Sequence, residues 1–170
     1  MTVTENLHTL RYDEAKTYLV SLAFVVGNIL LPQLFHLMPH GGMIWLPIYF
    51  FTLIGAYKYG WRVGLLTALA SPLCNSALFG MPATAVLPAI LLKSILLSLA
   101  AGYAAQHFRK ATPFLLLGVV LFYQIVGGMG EWLLTGSLQT AWQDFRIGLP
   151  GMALQVVGGY LVIKYMLRKA

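Results

Sequence analysis

The residues able to do chemistry in this sequence are few, and they stand inside apolar runs. Lys93 lies in Pro88-Ala89-Ile90-Leu91-Leu92-Lys93-Ser94, among mostly aliphatic neighbours. An ammonium at membrane depth is costly, so it must find a partner or serve a ligand. Two readings are open: a structural ion pair or helix-helix hydrogen bond, and a clamp for a carboxylate or other electron-rich ligand group. Glu131, in Gly127-Gly128-Met129-Gly130-Glu131-Trp132, is the natural partner. Gln124 precedes it by seven residues, which puts both on one helical face. Counted inward from the ends of the expected spans, Lys93, Gln124 and Gln155 fall at similar depth, with Asn75 and Glu131 nearer the outer surface. The expectation is one polar chamber, open outward, with Lys93, Gln124, Glu131 and Gln155 as polar contacts. Asn75, Tyr123, Trp132, His40 and Trp45 are candidates for its wall or lid. For the amides the competing reading is interhelical hydrogen bonding; for Glu131 it is an interfacial carboxylate in water. A Lys93–Glu131 pair suits a ligand with both acidic and donor groups, or an amphoteric ring.

Other chemistries find little footing. His36 and His40 flank Pro39 at a turn, and two histidines alone are a weak metal signal. No metal site is expected, and the pair reads as loop or packing histidines. There is no HExxH, no CxxC and no glycine-rich loop followed by Lys-Ser/Thr, so neither a zinc-hydrolase nor a nucleotide site is indicated. Ser71, Ser76, Ser94 and Ser98 have no histidine at matching depth, so no serine nucleophile and no catalytic residue is assigned. Cys74 is the only cysteine, which excludes an intramolecular disulfide.

The elements that must position these residues are membrane helices. The 170 residues are 59% hydrophobic and only 9% charged, with mean hydropathy +0.76. A soluble domain carries roughly 25% charged residues. So few charges cannot cover a water-facing surface, and lipid is the expected solvent. A span needs roughly 20 mostly apolar residues. Polar and Gly/Pro breaks divide the chain into a cytoplasmic amphipathic leader, 1–15, and six spans at about 16–38, 43–57, 63–79, 83–105, 112–135 and 147–167. The third is expected to bend near Pro72, and Gly136 to Arg146 is the longest polar connection. The fold class is therefore an all-α integral membrane protein, one compact six-helix bundle forming a single domain over 1–170.

Orientation follows from the basic residues. Arg11, Lys16, Lys58, Arg62, Arg109, Lys110, Lys164, Arg168 and Lys169 fall on one side, and the opposite loops hold only Arg146. The basic side is expected in the cytoplasm, giving N-in and C-in. The formal charge of +6 is thus explained by topology, and no nucleic-acid partner is expected. Trp45, Tyr57, Tyr59, Trp61, Trp132 and Trp142, at span ends, suit interfacial belts. Ala23-Phe24-Val25-Val26-Gly27 is a small-xxx-small motif, used either for packing within the bundle or for docking a membrane partner.

Several runs resemble the S components of energy-coupling-factor (ECF) transporters, the substrate-binding subunits of prokaryotic vitamin importers. They are Met38-Pro39-His40-Gly41-Gly42-Met43, Gly55-Ala56-Tyr57-Lys58-Tyr59-Gly60-Trp61-Arg62-Val63-Gly64, Ala70-Ser71-Pro72-Leu73 and Phe79-Gly80-Met81-Pro82. The resemblance implies a multi-pass protein of a prokaryotic cell membrane that captures a vitamin or related micronutrient on its outer side. It would dock on a membrane coupling subunit driven by two cytoplasmic ATPases. ATP would bind those ATPases, leaving no cofactor in this chain and no enzyme activity. Ala23 and Gly27 are the best match to the small-residue motif that contacts the coupling subunit. The metal-carrying branch fits poorly, because its ligands lie at an extended N-terminus and the leader here offers only His8. The rival readings are a structural or assembly protein of the cell envelope with no ligand, and an intramembrane enzyme using Lys93 and Glu131.

Overall fold

The computed structural model describes residues 9–168; His8 with the start of the leader, Lys169 and the side chain of Arg168 lie outside the described residues. Among the described residues every regular element is a helix, with no strand. In order the helices are α1 (Ala15–Phe35), α2 (Gly41–Trp45), a 3-10 turn (Pro47–Tyr49), α3 (Phe50–Tyr59), α4 (Trp61–Phe79), α5 (Leu87–Phe108), α6 (Pro113–Thr135), α7 (Leu138–Ile147) and α8 (Leu149–Arg168). Four of them, α1, α4, α5 and α6, are each long and apolar enough to cross a membrane. The pair α7 and α8, bent by 47°, makes a fifth if taken as one span. These helices are apolar on the outside as well. Leu19, Leu30, Leu34, Phe114 and Leu133 are all exposed, as lipid-facing side chains would be.

Three boundaries differ from the sequence reading. The run 43–57 is not one helix. Leu46 adopts a left-handed conformation (φ 47°), and Pro47, which cannot donate a backbone hydrogen bond, follows it. The chain breaks there, and α3 is only ten residues long. The fourth expected span is α5, which starts at Leu87 rather than Ala83, after turns at Ala83–Val86. The long polar connection is itself helical. Ser137 caps α7, its Oγ accepting from Thr140 N–H at 3.2 Å. Gly136, at φ 69°, closes α6 just before it in a conformation a glycine adopts without strain.

The ends of the bundle are chemically unlike. At one, the segment before α1 meets α3 and α4: Leu10 N–H donates to Tyr59 O, and Tyr12 packs edge-on against Trp61. Arg62 lies over Trp61, 4.8 Å from the ring centre, and Tyr57 Oη donates to Lys110 O at 2.5 Å. Tyr57 is thus buried in the bundle rather than in an interfacial belt. The ends of α1, α4 and α6, the start of α5, and α2 and α7 meet at the opposite end, around a cavity.

Polar side chains lock α1, α3 and α4 together. Asn28 Nδ2 donates to Thr52 Oγ1 at 3.0 Å and Ser71 Oγ at 3.2 Å, and its Oδ1 accepts from Phe51 N–H at 3.1 Å. That last bond satisfies one of the free N–H groups in the first turn of α3. Pro32 has no N–H to offer the Asn28 carbonyl four residues earlier, and Asn75 Nδ2 supplies it instead, at 2.9 Å. Gly27 packs on the Phe51 ring, which would lie 2.8 Å from an added Cβ, so this residue of the small-xxx-small motif works inside the bundle. Ala23 stays exposed.

Candidate functional site

The site is built where α5 and α6 come unusually close. A Cβ on Gly127 would stand 2.5 Å from Lys93 Cγ, and one on Gly130 would stand 2.2 Å from Leu92 Cδ2. Gly127 therefore gives the lysine stem its passage across α6, and Gly130 makes room for the Leu92 side chain beside it. One turn further, Glu131 meets the ammonium: Lys93 Nζ donates to Glu131 Oε2 at 2.7 Å. The same nitrogen donates to Asp144 Oδ2 on α7. One cation thus holds three helices through two charge-assisted hydrogen bonds. Lys93 and Glu131 are buried, at 3% and 6% exposure, while the Asp144 side chain is 28% exposed.

This triad forms part of the wall of a cavity of about 580 Å³. The rest is mostly apolar, including Pro47, Ile48, Met43, Met81 and Ile90, with Tyr49 among them. His36, His40 and Asn75 line it too, and α7 adds Thr140, Gln143 and Ile147. A space of this size matches a small organic molecule, for which pockets span about 300–1,000 Å³. Among the described residues no three His, Cys, Asp or Glu side chains form a group able to hold a metal ion.

The sequence-predicted residues divide into three sets. Lys93, Glu131, Asn75 and His40 line the cavity. Asn75 is largely committed elsewhere, since its amide nitrogen donates to Asn28 O and to Ser71 O at 3.0 Å. Gln124, Tyr123 and Gln155 form a second, deeper group instead of joining the first. Tyr123 Oη donates to Gln155 Oε1 at 2.9 Å and accepts from Gln124 Nε2 at 3.2 Å. Tyr49 lies between the groups, lining the cavity and packing on Tyr123 with ring centres 5.3 Å apart. The single chamber is thus two polar layers. Lys93 is only the seventh residue of α5, about 9 Å along it, because α5 starts later than expected. It is level with Glu131, and Gln124 lies about 10 Å deeper along α6. Gln124 Oε1, Gln155 Nε2 and Ser94 Oγ are buried with no partner among the described residues. Trp132 and Trp45 do not line the cavity: Trp132 is exposed, and Trp45 stacks on Phe35, ring centres 5.7 Å apart.

Asp144 is the residue sequence reasoning missed. It sits in the segment read as a polar connection, where a carboxylate is unremarked. The available signal was Ser137 before the amphipathic run Leu138-Gln139-Thr140-Ala141-Trp142, a capped helix start that would carry Asp144 back to the bundle.

No protein-family profile matches the chain, and neither the curated proteins nor the solved structures contain a match to it.

Proposed function

We propose that this chain is the substrate-binding membrane subunit of an ECF-type importer, capturing a vitamin-sized micronutrient at the outer face of a prokaryotic cell membrane. The observation that carries the reading is the cavity of about 580 Å³ with the Lys93–Glu131–Asp144 triad in its wall. A purely structural ion pair needs no such space beside it. The apolar exterior of the long helices supports a place in the bilayer.

In this reading the chain crosses six times, through α1, the broken α2–α3 segment, α4, α5, α6 and α8. Both termini are cytoplasmic, since the basic loops around Lys58, Arg62, Arg109 and Lys110 lie opposite the cavity. The cavity then faces outward. Uptake needs a membrane coupling subunit and two cytoplasmic ATPases, in keeping with the lack of a phosphate-binding loop in this sequence. Ala23, exposed on α1, remains the contact candidate for the coupling subunit, whereas Gly27 is engaged by Phe51.

The test is native mass spectrometry of the detergent-purified chain, with chemical identification of whatever co-purifies. A bound small organic molecule is the expected result. A bare mass that a panel of vitamins leaves unchanged would refute the reading in favour of a structural protein.

A further inference from the structure

We infer that the cavity takes a ligand carrying a cationic nitrogen with N–H donors, an ammonium or amidinium on an apolar or aromatic frame, and discriminates against carboxylates. The inference rests on the capture reading and names the charge of what is captured.

The reason is the charge balance of the wall. One ammonium, Lys93, faces two carboxylates, Glu131 and Asp144. With His36, His40 and Tyr49 counted as neutral, the lining carries a net formal charge of −1. Arg146, two residues beyond Asp144, is exposed and not part of the wall. The lysine is moreover already engaged. An ammonium has three donors, and two are given to Glu131 and Asp144. At the triad a ligand carboxylate would find one remaining ammonium donor and two repelling anions. By contrast, Glu131 Oε1 and Asp144 Oδ1 accept no hydrogen bond from any described residue. Glu131 is more than nine-tenths buried, yet its second oxygen is not among the fully enclosed unpaired atoms, so it stays an acceptor that a ligand in the cavity can reach. A planar or tetrahedral N–H cation would satisfy both free oxygens and neutralise the wall. The apolar remainder, with Ile48, Met43, Met81 and Ile90, suits the frame that carries the cation. The lysine then acts as a brace that keeps two carboxylates together, rather than as the ligand's anchor.

The test is a matched series on one scaffold: 2-naphthamidine (cation), 2-naphthamide (neutral) and 2-naphthoate (anion). Each is titrated by calorimetry into the full-length protein in micelles, against the Asp144→Asn and Glu131→Gln variants. Partition of each ligand is measured in protein-free micelles of the same detergent and subtracted, so that the three ligands can be compared within one protein. The expected result is amidine binding at least tenfold tighter than naphthoate in the parent chain. That preference should collapse to less than threefold in Asp144→Asn, whose wall is formally neutral. Glu131→Gln serves as the second variant, and the parent-chain preference is decisive even if neither variant folds. Naphthoate or naphthamide binding as tightly as the amidine would overturn the charge inference and leave the capture reading standing. Saturable binding by none of the three, at millimolar concentration, would overturn both.

Discussion

Replacing Lys93 with Met keeps an unbranched stem beside Gly127 and removes only the ammonium. Glu131 and Asp144 then share one end of the cavity with no cation between them. Coulomb's law with an effective permittivity of about 20 gives about 6 kcal/mol for unit charges 2.7 Å apart, the Lys93–Glu131 separation. The desolvation of both groups opposes this gain, so the net value of the pair is smaller. Breaking a buried pair by deleting one partner nevertheless costs about 3–5 kcal/mol, because the remaining charge is stranded. The Asp144 side chain keeps some access to solvent, at 28%, which puts the expected loss at the lower end, about 3 kcal/mol. The assay is denaturant unfolding in micelles, followed by tryptophan fluorescence. The control is the triple variant Lys93→Met, Glu131→Gln, Asp144→Asn, which removes all three charges and should return to within about 1 kcal/mol of the parent. If Lys93→Met alone unfolds like the parent, or the triple variant is no better than the single one, the triad is not the electrostatic unit described above.

Four further outcomes follow from the packing and the hydrogen bonds. Gly127→Ala should destabilise by about 1 kcal/mol: overpacking against Lys93 costs about 1–3 kcal/mol and the gain in helix propensity returns about 1. Gly128→Ala, whose added Cβ meets nothing within 4 Å, should be neutral or mildly stabilising in the same unfolding assay; equal losses at both sites would contradict the close approach of α5 and α6. Asn28→Ala should cost about 2 kcal/mol, since it strands the Phe51 N–H and the Thr52 hydroxyl, while the Ser71 hydroxyl keeps its bond to Thr67 O; a loss below about 1 kcal/mol would show that water or a neighbour replaces them. Asp144→Asn should speed amide hydrogen exchange across α7, measured by mass spectrometry, while α5 and α6 keep their protection; unchanged exchange in α7 would mean that its other contacts hold it in place.

The helices that could cross a membrane were legible because lipid imposes a one-dimensional requirement, a run of apolar residues as long as the bilayer is thick. That is why α1, α4, α5 and α6 stand close to where hydropathy put them. Lys93 and Glu131 were legible for the same reason, since an ion in such a run must be paired or used. The break in the second run was not, although its cause is local: hydropathy averages over Leu46-Pro47, whereas the backbone stops there. Asp144 was hidden differently. A carboxylate in a polar stretch obeys every one-dimensional rule, and only the folding of α7 back onto the bundle brings it to Lys93. The division of the polar residues into a cavity triad and the deeper Tyr123–Gln124–Gln155 group was likewise decided by tertiary structure. Helical spacing says which residues share a face, but the depth at which two helices meet depends on where each begins. Here the late start of α5 at Leu87 and the glycines of α6 set Lys93 level with Glu131 and leave Gln124 two turns below.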